Sequence, residues 1–596
     1  MNPLEPVWAS FPEPFNYYRL MLGGDHLHFG YWPEGRKDLT LESAQTYMFD
    51  LLLQFFPEPP AKVLDVGCGL GASAYFLAQK GFDVIAIGPS PDLISYARQQ
   101  YRHHGVDYRV ADFMAEDVSD FASDDGYDVI LFQESLQYLH PLKKVFQRTR
   151  SLLSPKGKVI LGDEMCYDNA ITSSTSAHLR KEVIRNLAEG GFRISQQLSI
   201  GSRVLKTCDA ILERFDMHRD RLLRIVASDN INNDLNRYID GWGNQRRWYA
   251  ECRLGYEVIV AQKDSVVIRE YQDGDEAAIL PLFRKVFGVE RSLAHWRWKF
   301  KDNPFGACKI AVAYSEDHTL AAHFCGYPVP FHAPSETRSD FITLQGGDTM
   351  TNPSFRNSGL GATSLLSRVA AYFYNRFCED ETPFIYGFNT GVIRKFGERF
   401  LQYEYLSGIP YHVLDRDCFQ ELNAEIQGRM LPEFNVEKVL RVSGEFDDFF
   451  QNVCPRYGFL VKRSAKYLQW RYLACPERVH QMYTVKKQGR LVGWGVFRRS
   501  GDVLLWGDAL FDQNCPQAVS ELLHQVIDDN GSEINRIEGW FSPMPQWWTD
   551  ILMRLNFRAQ QEPNRLSPCF KHFDRSFSME MLRQQYYYTM GDSDLF

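Results

Sequence analysis

Short apolar runs and stretches of helical period alternate through the first 260 or so residues. After Pro57–Pro60 closes an N-terminal helical stretch, strands are predicted at Val63–Val66, Asp83–Ile87, Val106–Val110, Tyr127–Phe132 and Lys158–Gly162. Helical patterns fall between them, one running through Gln79, the others over Pro91–Gln100 and Leu142–Leu153. Such alternation predicts an α/β fold with a doubly wound parallel sheet. Residues 173–190 also read as helical. Two more strands, Phe192–Ile200 and Tyr256–Gln262, enclose about 50 mostly helical residues.

The pattern restarts near Val266. A strand at Val266–Arg269 precedes a helix over Asp273–Phe287, opened by acidic residues that suit a helix N-terminus. Beyond it the order is mixed and several strands read as antiparallel. Trp298–Pro304 matches Trp470–Pro476, and the strand Ile310–Tyr314 matches Met482–Lys486 at the same offset, with a hairpin following in each copy. The expected division is therefore 1–264, 265–410 and 411–596, the last two being related halves.

Composition narrows the function. The chain has 596 residues, 44% hydrophobic and 24% charged, with a net charge of −9. That charge gives no reason to expect a nucleic-acid partner. No run of 18 apolar residues suggests a membrane span, and the first residues lack the basic start and apolar run of a signal peptide. The 12 cysteines are scattered without metal-ligand spacing, as expected of reduced cytoplasmic thiols. Aromatics at 14% suit large cores or aromatic-walled small-molecule pockets.

Leu64-Asp65-Val66-Gly67-Cys68-Gly69-Leu70-Gly71 lies where the first strand passes into a helix, so its glycines allow a tight turn and close approach of a ligand. The spacing resembles the Asp/Glu-x-Gly-x-Gly-x-Gly motif of class I S-adenosylmethionine-dependent methyltransferases. Later elements resemble the same family: Asp112-Phe113 after the third strand, Gln133-Glu134 at the end of the fourth, and Leu152–Val159 as the turn into the fifth. The resemblance implies that the glycine turn packs on the methionine part of the donor, that Asp112 meets the adenine amine, and that Phe113 packs beside the adenine ring. Gln133 and Glu134 would face donor and acceptor. The second strand ends in Gly88-Pro89-Ser90-Pro91 without the usual ribose-binding acid, which makes Ser90 the candidate there. Tyr17–Trp32, with Leu27-His28-Phe29-Gly30-Tyr31-Trp32, resembles the lid of small-molecule members, so a small-molecule acceptor is implied. Base candidates are His28, Glu134 and His140, the last read more readily as structural in its Tyr138-Leu-His-Pro141 context. Asp163-Glu164 at the edge of the fifth strand either holds a cationic acceptor or caps the next turn.

Pro353, Arg356, Asn357, Gly359 and Gly361 follow a strand and open a helix, a spacing similar to the pyrophosphate-binding turn of GNAT-superfamily N-acyltransferases. This resemblance implies tandem mixed α/β GNAT-like domains, the second degenerate, and binding of acetyl-CoA or another acyl-CoA by turn N–H groups. Asn389 would lie beside the pantetheine arm. The usual tyrosine acid is replaced by Phe396, which leaves Tyr403 or Tyr405 as candidates, with Asp348 and Glu398 as possible helpers. The expected function is a bifunctional small-molecule methyltransferase and N-acyltransferase. The alternative is a methyltransferase whose GNAT-like half only binds substrate or partner. The acidic stretch Met590–Asp594 reads as a solvated tail.

Overall fold

The computed structural model describes residues 11, 15–36, 38–225, 231–334, 340–419, 433–574 and 576–596. It divides into two compact units, 1–267 and 268–596.

Unit 1 is built on strands β1 (Lys62–Val66), β2 (Asp83–Gly88), β3 (Val106–Val110), β4 (Tyr127–Gln133), β5 (Leu153–Cys166), β6 (His178–Leu179), β7 (Phe192–Ser199) and β8 (Leu254–Lys263). The main order is β3-β2-β1-β4-β5-β8-β7. Strands β1 to β5 pair in parallel, and β8 inserts antiparallel between β5 and β7. The central strands read as unbroken apolar runs because both faces are covered: Val129, Ile130, Leu131 and Phe132 are fully buried. The order reverses between β1 and β4, so the crevice at their carboxyl ends is where such a sheet receives ligands.

The segment 173–190 departs from expectation. Its helix begins only at Arg180, after a 3-10 turn at Asn169–Ser174 and the short β6. Between β7 and β8, the helices Gly201–Met217 and Ile231–Ala250 pack together. The helix Phe15–Leu22 docks on this insert through Tyr17, Met21 and Leu22, which share a core with Ile211 and Phe215.

Unit 2 contains two sheets of matching design. The first uses β9 (Val266–Glu270), β10 (Lys309–Ser315), β11 (Leu320–His332), β12 (Asp340–Thr351), β13 (Phe384–Asn389) and β14 (Glu404–Tyr405). The second uses β15 (Pro410–Asp415), β16 (Phe434–Lys438), β18 (Gln481–Lys487), β19 (Arg490–Ser500), β20 (Val503–Phe511), β21 (Arg536–Trp540) and β22 (Arg558–Gln561). The chain continues into β23 (Ser567–His572) and β24 (Tyr586–Tyr587), while β17 (Phe459–Val461) pairs with β11 and β24. The orders are β14-β23-β13-β12-β11-β10-β9 and β22-β15-β21-β20-β19-β18-β16. Along each order one pair is parallel, β12 with β13 and β20 with β21, bridged by the helices Leu365–Phe377 and Gln517–Asn530; off that order, β17 pairs with β24 in parallel.

The halves exchange strands. β15, following the first half, pairs between β21 and β22 of the second sheet. β23 pairs between β13 and β14 of the first. A division at residue 410 thus falls at the start of a strand that leaves its own half. The repeat is also visible side chain to side chain: Trp298 Nε1 donates to the Trp470 carbonyl at 2.8 Å and Trp470 Nε1 to the Trp298 carbonyl at 3.1 Å, with the rings stacked. Such reciprocal contact is what a two-fold interface produces.

The acidic stretch Met590–Asp594 is not solvated. Asp592 and Ser593 are buried, Asp592 pairing with Arg463 at 2.7 Å and Asp594 with Lys299 at 2.9 Å. Both acids find cations inside the unit, which a local reading of charge cannot reveal.

Candidate functional site

β1 delivers Asp65 to the carboxyl edge of the unit 1 sheet, and the chain then turns through glycine into the helix Ala72–Gln79. Gly67 and Gly71 need their glycine. Both have positive φ, 81° and 89°. A Cβ on Gly67 would lie 2.6 Å from the Ser135 Cβ, and one on Gly71 would lie 2.7 Å from the Ala97 Cβ. Gly69 turns beneath Leu27 of the lid, which therefore closes directly over the loop.

Asp65, Gly67, Gly69 and Gln133 line one narrow cleft with Leu27 and His28. Polar groups there lack partners: Asp65 Oδ2, Gln133 Nε2 and His28 Nε2 are buried and unbonded, as is Ser135 Oγ beside Gly67. Burial pushes the Asp65 carboxyl up to about 7. An amino-acid end group, with one ammonium and one carboxylate, answers this set: Asp65 takes the cation, and Gln133 Nε2 donates to the anion. S-adenosylmethionine carries such an end, so the residues fit the donor that the sequence motif implies.

A cavity of about 470 Å³ shares the Leu27 and His28 wall. Glu134 reaches it from a left-handed backbone conformation, φ 53°, at the end of β4. Its Oε1 accepts from the Phe29 N–H at 2.6 Å and from the Tyr256 hydroxyl at 3.0 Å. Burial, together with the neighbouring Glu164 and Asp163, drives the Glu134 carboxyl well above the usual range. Glu164 accepts from Gln245 Nε2 at 2.6 Å and from the Tyr249 hydroxyl at 2.7 Å. The two acids of β5 divide the roles left open by the sequence. Asp163 binds the Leu136 N–H at 2.8 Å, and Glu164 lines the cavity. His28 Nδ1 lies 2.9 Å from the Phe29 carbonyl, which can only accept, so its Nε2 presents a lone pair. Burial lowers this imidazole to about 3, which keeps it neutral.

Other expected residues stand elsewhere. His140 is exposed, lies against His178 with the rings tilted by 59°, and joins neither cavity wall. Phe113 is buried in the core against Phe121 and Phe132, so its ring is committed to packing. Asp112 is exposed and binds the Met114 N–H at 2.8 Å. Ser90 caps the helix Pro91–Gln100, its hydroxyl accepting from the Leu93 N–H, with Pro91 in the first turn. The sequence reading missed the insert's contribution. Tyr238, Trp242, Gln245 and Tyr249 are spaced for one helical face, a signal present in the sequence but lost in a segment read only as mostly helical.

In unit 2 the turn after β12 differs from an open anion cradle. The N–H groups of Gly359, Leu360, Thr363, Ser364 and Leu365 all bond within the loop. The helix starts at Leu365, beyond a 3-10 turn at Gly361–Thr363. A Cβ on Gly361 would lie 2.7 Å from the Phe400 ring, so packing already requires this glycine. Arg356 and Asn357 are exposed. Asn389 Nδ2 donates to the Tyr405 hydroxyl at 3.0 Å, and the Tyr374 hydroxyl donates to that of Tyr403 at 3.0 Å. Asp348 is held by Arg291 and Lys299, whose charges outweigh its burial and bring it well below the carboxylate range. Glu398 pairs with Arg394 at 2.9 Å.

A family model described as a methyltransferase domain matches residues 41–185. The chain is similar to the 27-O-demethylrifamycin SV methyltransferase of Amycolatopsis mediterranei (strain S699), with 26% identity over 41% of this chain and 91% of that protein. It is also similar to the glycine/sarcosine/dimethylglycine N-methyltransferase of Actinopolyspora halophila, with 25% identity over 36% of this chain and 38% of that protein. A third relative is the sarcosine/dimethylglycine N-methyltransferase of Halorhodospira halochloris, with 31% identity over 26% of this chain and 56% of that protein. The matched stretch therefore spans from about two fifths to nine tenths of these relatives. With the parallel sheet, the glycine turn and the family match in agreement, unit 1 contains a class I S-adenosylmethionine-dependent methyltransferase domain over roughly residues 41–185.

Proposed function

We propose that unit 1 transfers a methyl group from S-adenosylmethionine to a small molecule held in the 470 Å³ cavity. One observation carries the reading: Leu27 and His28 line both the glycine-turn cleft and the cavity, so the two ligands would meet across a shared wall. The donor supplies an electrophilic methyl on a sulfonium. The protein's part is alignment and exclusion of water. The lid does both, tied down by Asp25, which pairs with Arg19 and accepts from the Tyr96 and Tyr101 hydroxyls. The named activities of the relatives, on a rifamycin precursor and on glycine derivatives, support a small acceptor.

Calorimetry should find one donor bound per chain, with Asp65→Ala weakening binding at least about tenfold, the scale of 1.4 kcal/mol for a lost charged contact. A labelled methyl group should pass from the donor to a low-molecular-weight product in a metabolite extract. Absence of donor binding by the intact chain would sink the reading.

For unit 2 we propose a binding role without acyl transfer. Most of the loop N–H groups that a CoA pyrophosphate would need, those of Gly359, Leu360, Thr363 and Ser364 among them, are spent internally, and the Tyr403 and Tyr405 hydroxyls are engaged with Tyr374 and Asn389. Titration with acetyl-CoA is expected to give no saturable heat. Stoichiometric binding would restore acyl transfer as the reading.

A further inference from the structure

We infer that the unit 1 cavity takes its acceptor as a cationic amine and that the methylated atom is that amine's nitrogen. The inference rests on the methyltransferase reading of unit 1 and adds the chemical class of its second substrate.

Two carboxylates, Glu134 and Glu164, line one cavity. Among the described residues lining it, Arg237 is the only lysine or arginine, and it is exposed. The Glu164 charge opposes ionisation of Glu134 across this cavity. Uncompensated buried carboxylates are costly unless a cation joins them. The remaining walls are aromatic. Tyr18, Phe29, Trp242 and Trp248 line the space, with Tyr138 and Tyr238 beside them. Aromatic faces with carboxylates behind them form the recognised environment for ammonium groups, attractive to the cation by ring quadrupole as well as by charge.

A separate observation points the same way. His28 is buried at 3% exposure, and its Nε2 lone pair, on the wall shared with the donor cleft, has no partner. An acceptor there meets an ammonium N–H. The recorded bonds to Glu134 both end on Oε1, so among the described residues Oε2 is left to receive a proton. The step balances. The ammonium proton passes to Glu134, the freed nitrogen lone pair forms the N–C bond, and the C–S bond breaks with its electron pair going to sulfur. The charge that leaves the sulfonium reappears on the methylated nitrogen, still between the two acids.

The test uses the full chain and a pair of matched probes: benzyltrimethylammonium, which has no proton to lose and cannot be methylated, and neopentylbenzene, its neutral isostere. Binding is read by quenching of tryptophan fluorescence in the presence of S-adenosylhomocysteine. The cation is expected to bind at least about tenfold more tightly than the isostere. Glu134→Gln and Glu164→Gln, which keep size and hydrogen-bond acceptors, should each remove most of that preference while S-adenosylhomocysteine affinity stays within about twofold. Equal binding of the two probes, or an undiminished preference in the Glu134→Gln, Glu164→Gln double variant, overturns the inference and leaves the methyltransferase reading standing. Selective cation binding by a chain that does not bind S-adenosylhomocysteine would do the reverse, upholding the cation site and removing its assignment to methyl transfer.

Discussion

Gly67→Val is expected to abolish donor binding, an affinity loss of at least about a hundredfold. The position has φ 81°, where a β-branched residue is strained, and its Cβ would lie 2.6 Å from the Ser135 Cβ. Ser135 cannot give way cheaply. It is buried directly beyond Glu134, whose own backbone is left-handed and whose carboxylate holds the Phe29 N–H. Relief must come from the turn itself, which would carry Asp65 and Gln133 apart and separate the unpartnered groups that converge on the cleft. A hundredfold loss corresponds to about 2.7 kcal/mol, well within the combined scale of clash and strain. Calorimetry with S-adenosylhomocysteine checks it, alongside circular dichroism to show that the sheet persists. A folded variant of full affinity would mean that the donor does not use this turn.

Arg463→Met should destabilise unit 2 by about 3–5 kcal/mol, the usual cost of removing one member of a buried ion group. Arg463 is fully buried and binds both oxygens of Asp508, at 3.0 and 3.2 Å, as well as Asp592 at 2.7 Å and the Val461 carbonyl at 2.9 Å. Methionine fills much of the space but leaves two carboxylates facing each other without a cation. The effect should depend on pH in a definite sense. Burial already lifts Asp592 to about 6, with Arg463 pulling down and Asp508 pushing up. Its folded pKa lies above the ordinary carboxylate value, so its contribution to stability is fully present in acid and is lost as pH rises through about 6. Without Arg463, which pulls Asp592 down, that acid favours the protonated form more strongly, so the variant's deficit should be larger at pH 8 than at pH 5. Denaturant titration followed by fluorescence at the two pH values would measure this. A deficit under 1 kcal/mol, or one independent of pH, would show that the cluster does not need its arginine.

Much of unit 1 was legible because its physics is local. Strands buried on both faces appear as apolar runs, and β2, β3 and β4 fall within a residue of their expected bounds. The glycine turn was legible because Gly67 and Gly71 meet requirements of conformation and space that no other residue meets. What escaped was non-local. An aromatic such as Phe113 after a strand looks the same whether it faces a ligand or the core. Asp592 and Asp594 looked solvated because Arg463 and Lys299 lie 129 and 295 residues away in sequence. The glycine spacing at Gly359 and Gly361 suggested an anion cradle, yet that loop satisfies most of its own N–H groups and packs one glycine on Phe400. The internal repeat was visible as matched tryptophans and strands, but no local pattern tells a strand which of two similar sheets to join.

That last ambiguity bears on how the protein is made. Because β23 sits between β13 and β14, the main order of the first sheet of unit 2 waits for residue 572, although the other strands of that order are complete by residue 405. At about 5–20 residues per second, the interval during synthesis lasts from several seconds to about half a minute. Throughout it the nascent first half exposes the edge of β13, and β15 has no sheet to enter, a template for wrong pairing. On one messenger, a leading chain carries a finished β23 while a trailing chain still exposes its β13 edge. Closely spaced translation therefore raises the chance that β23 of one chain enters the sheet of another, and well-spaced translation favours closure within one chain.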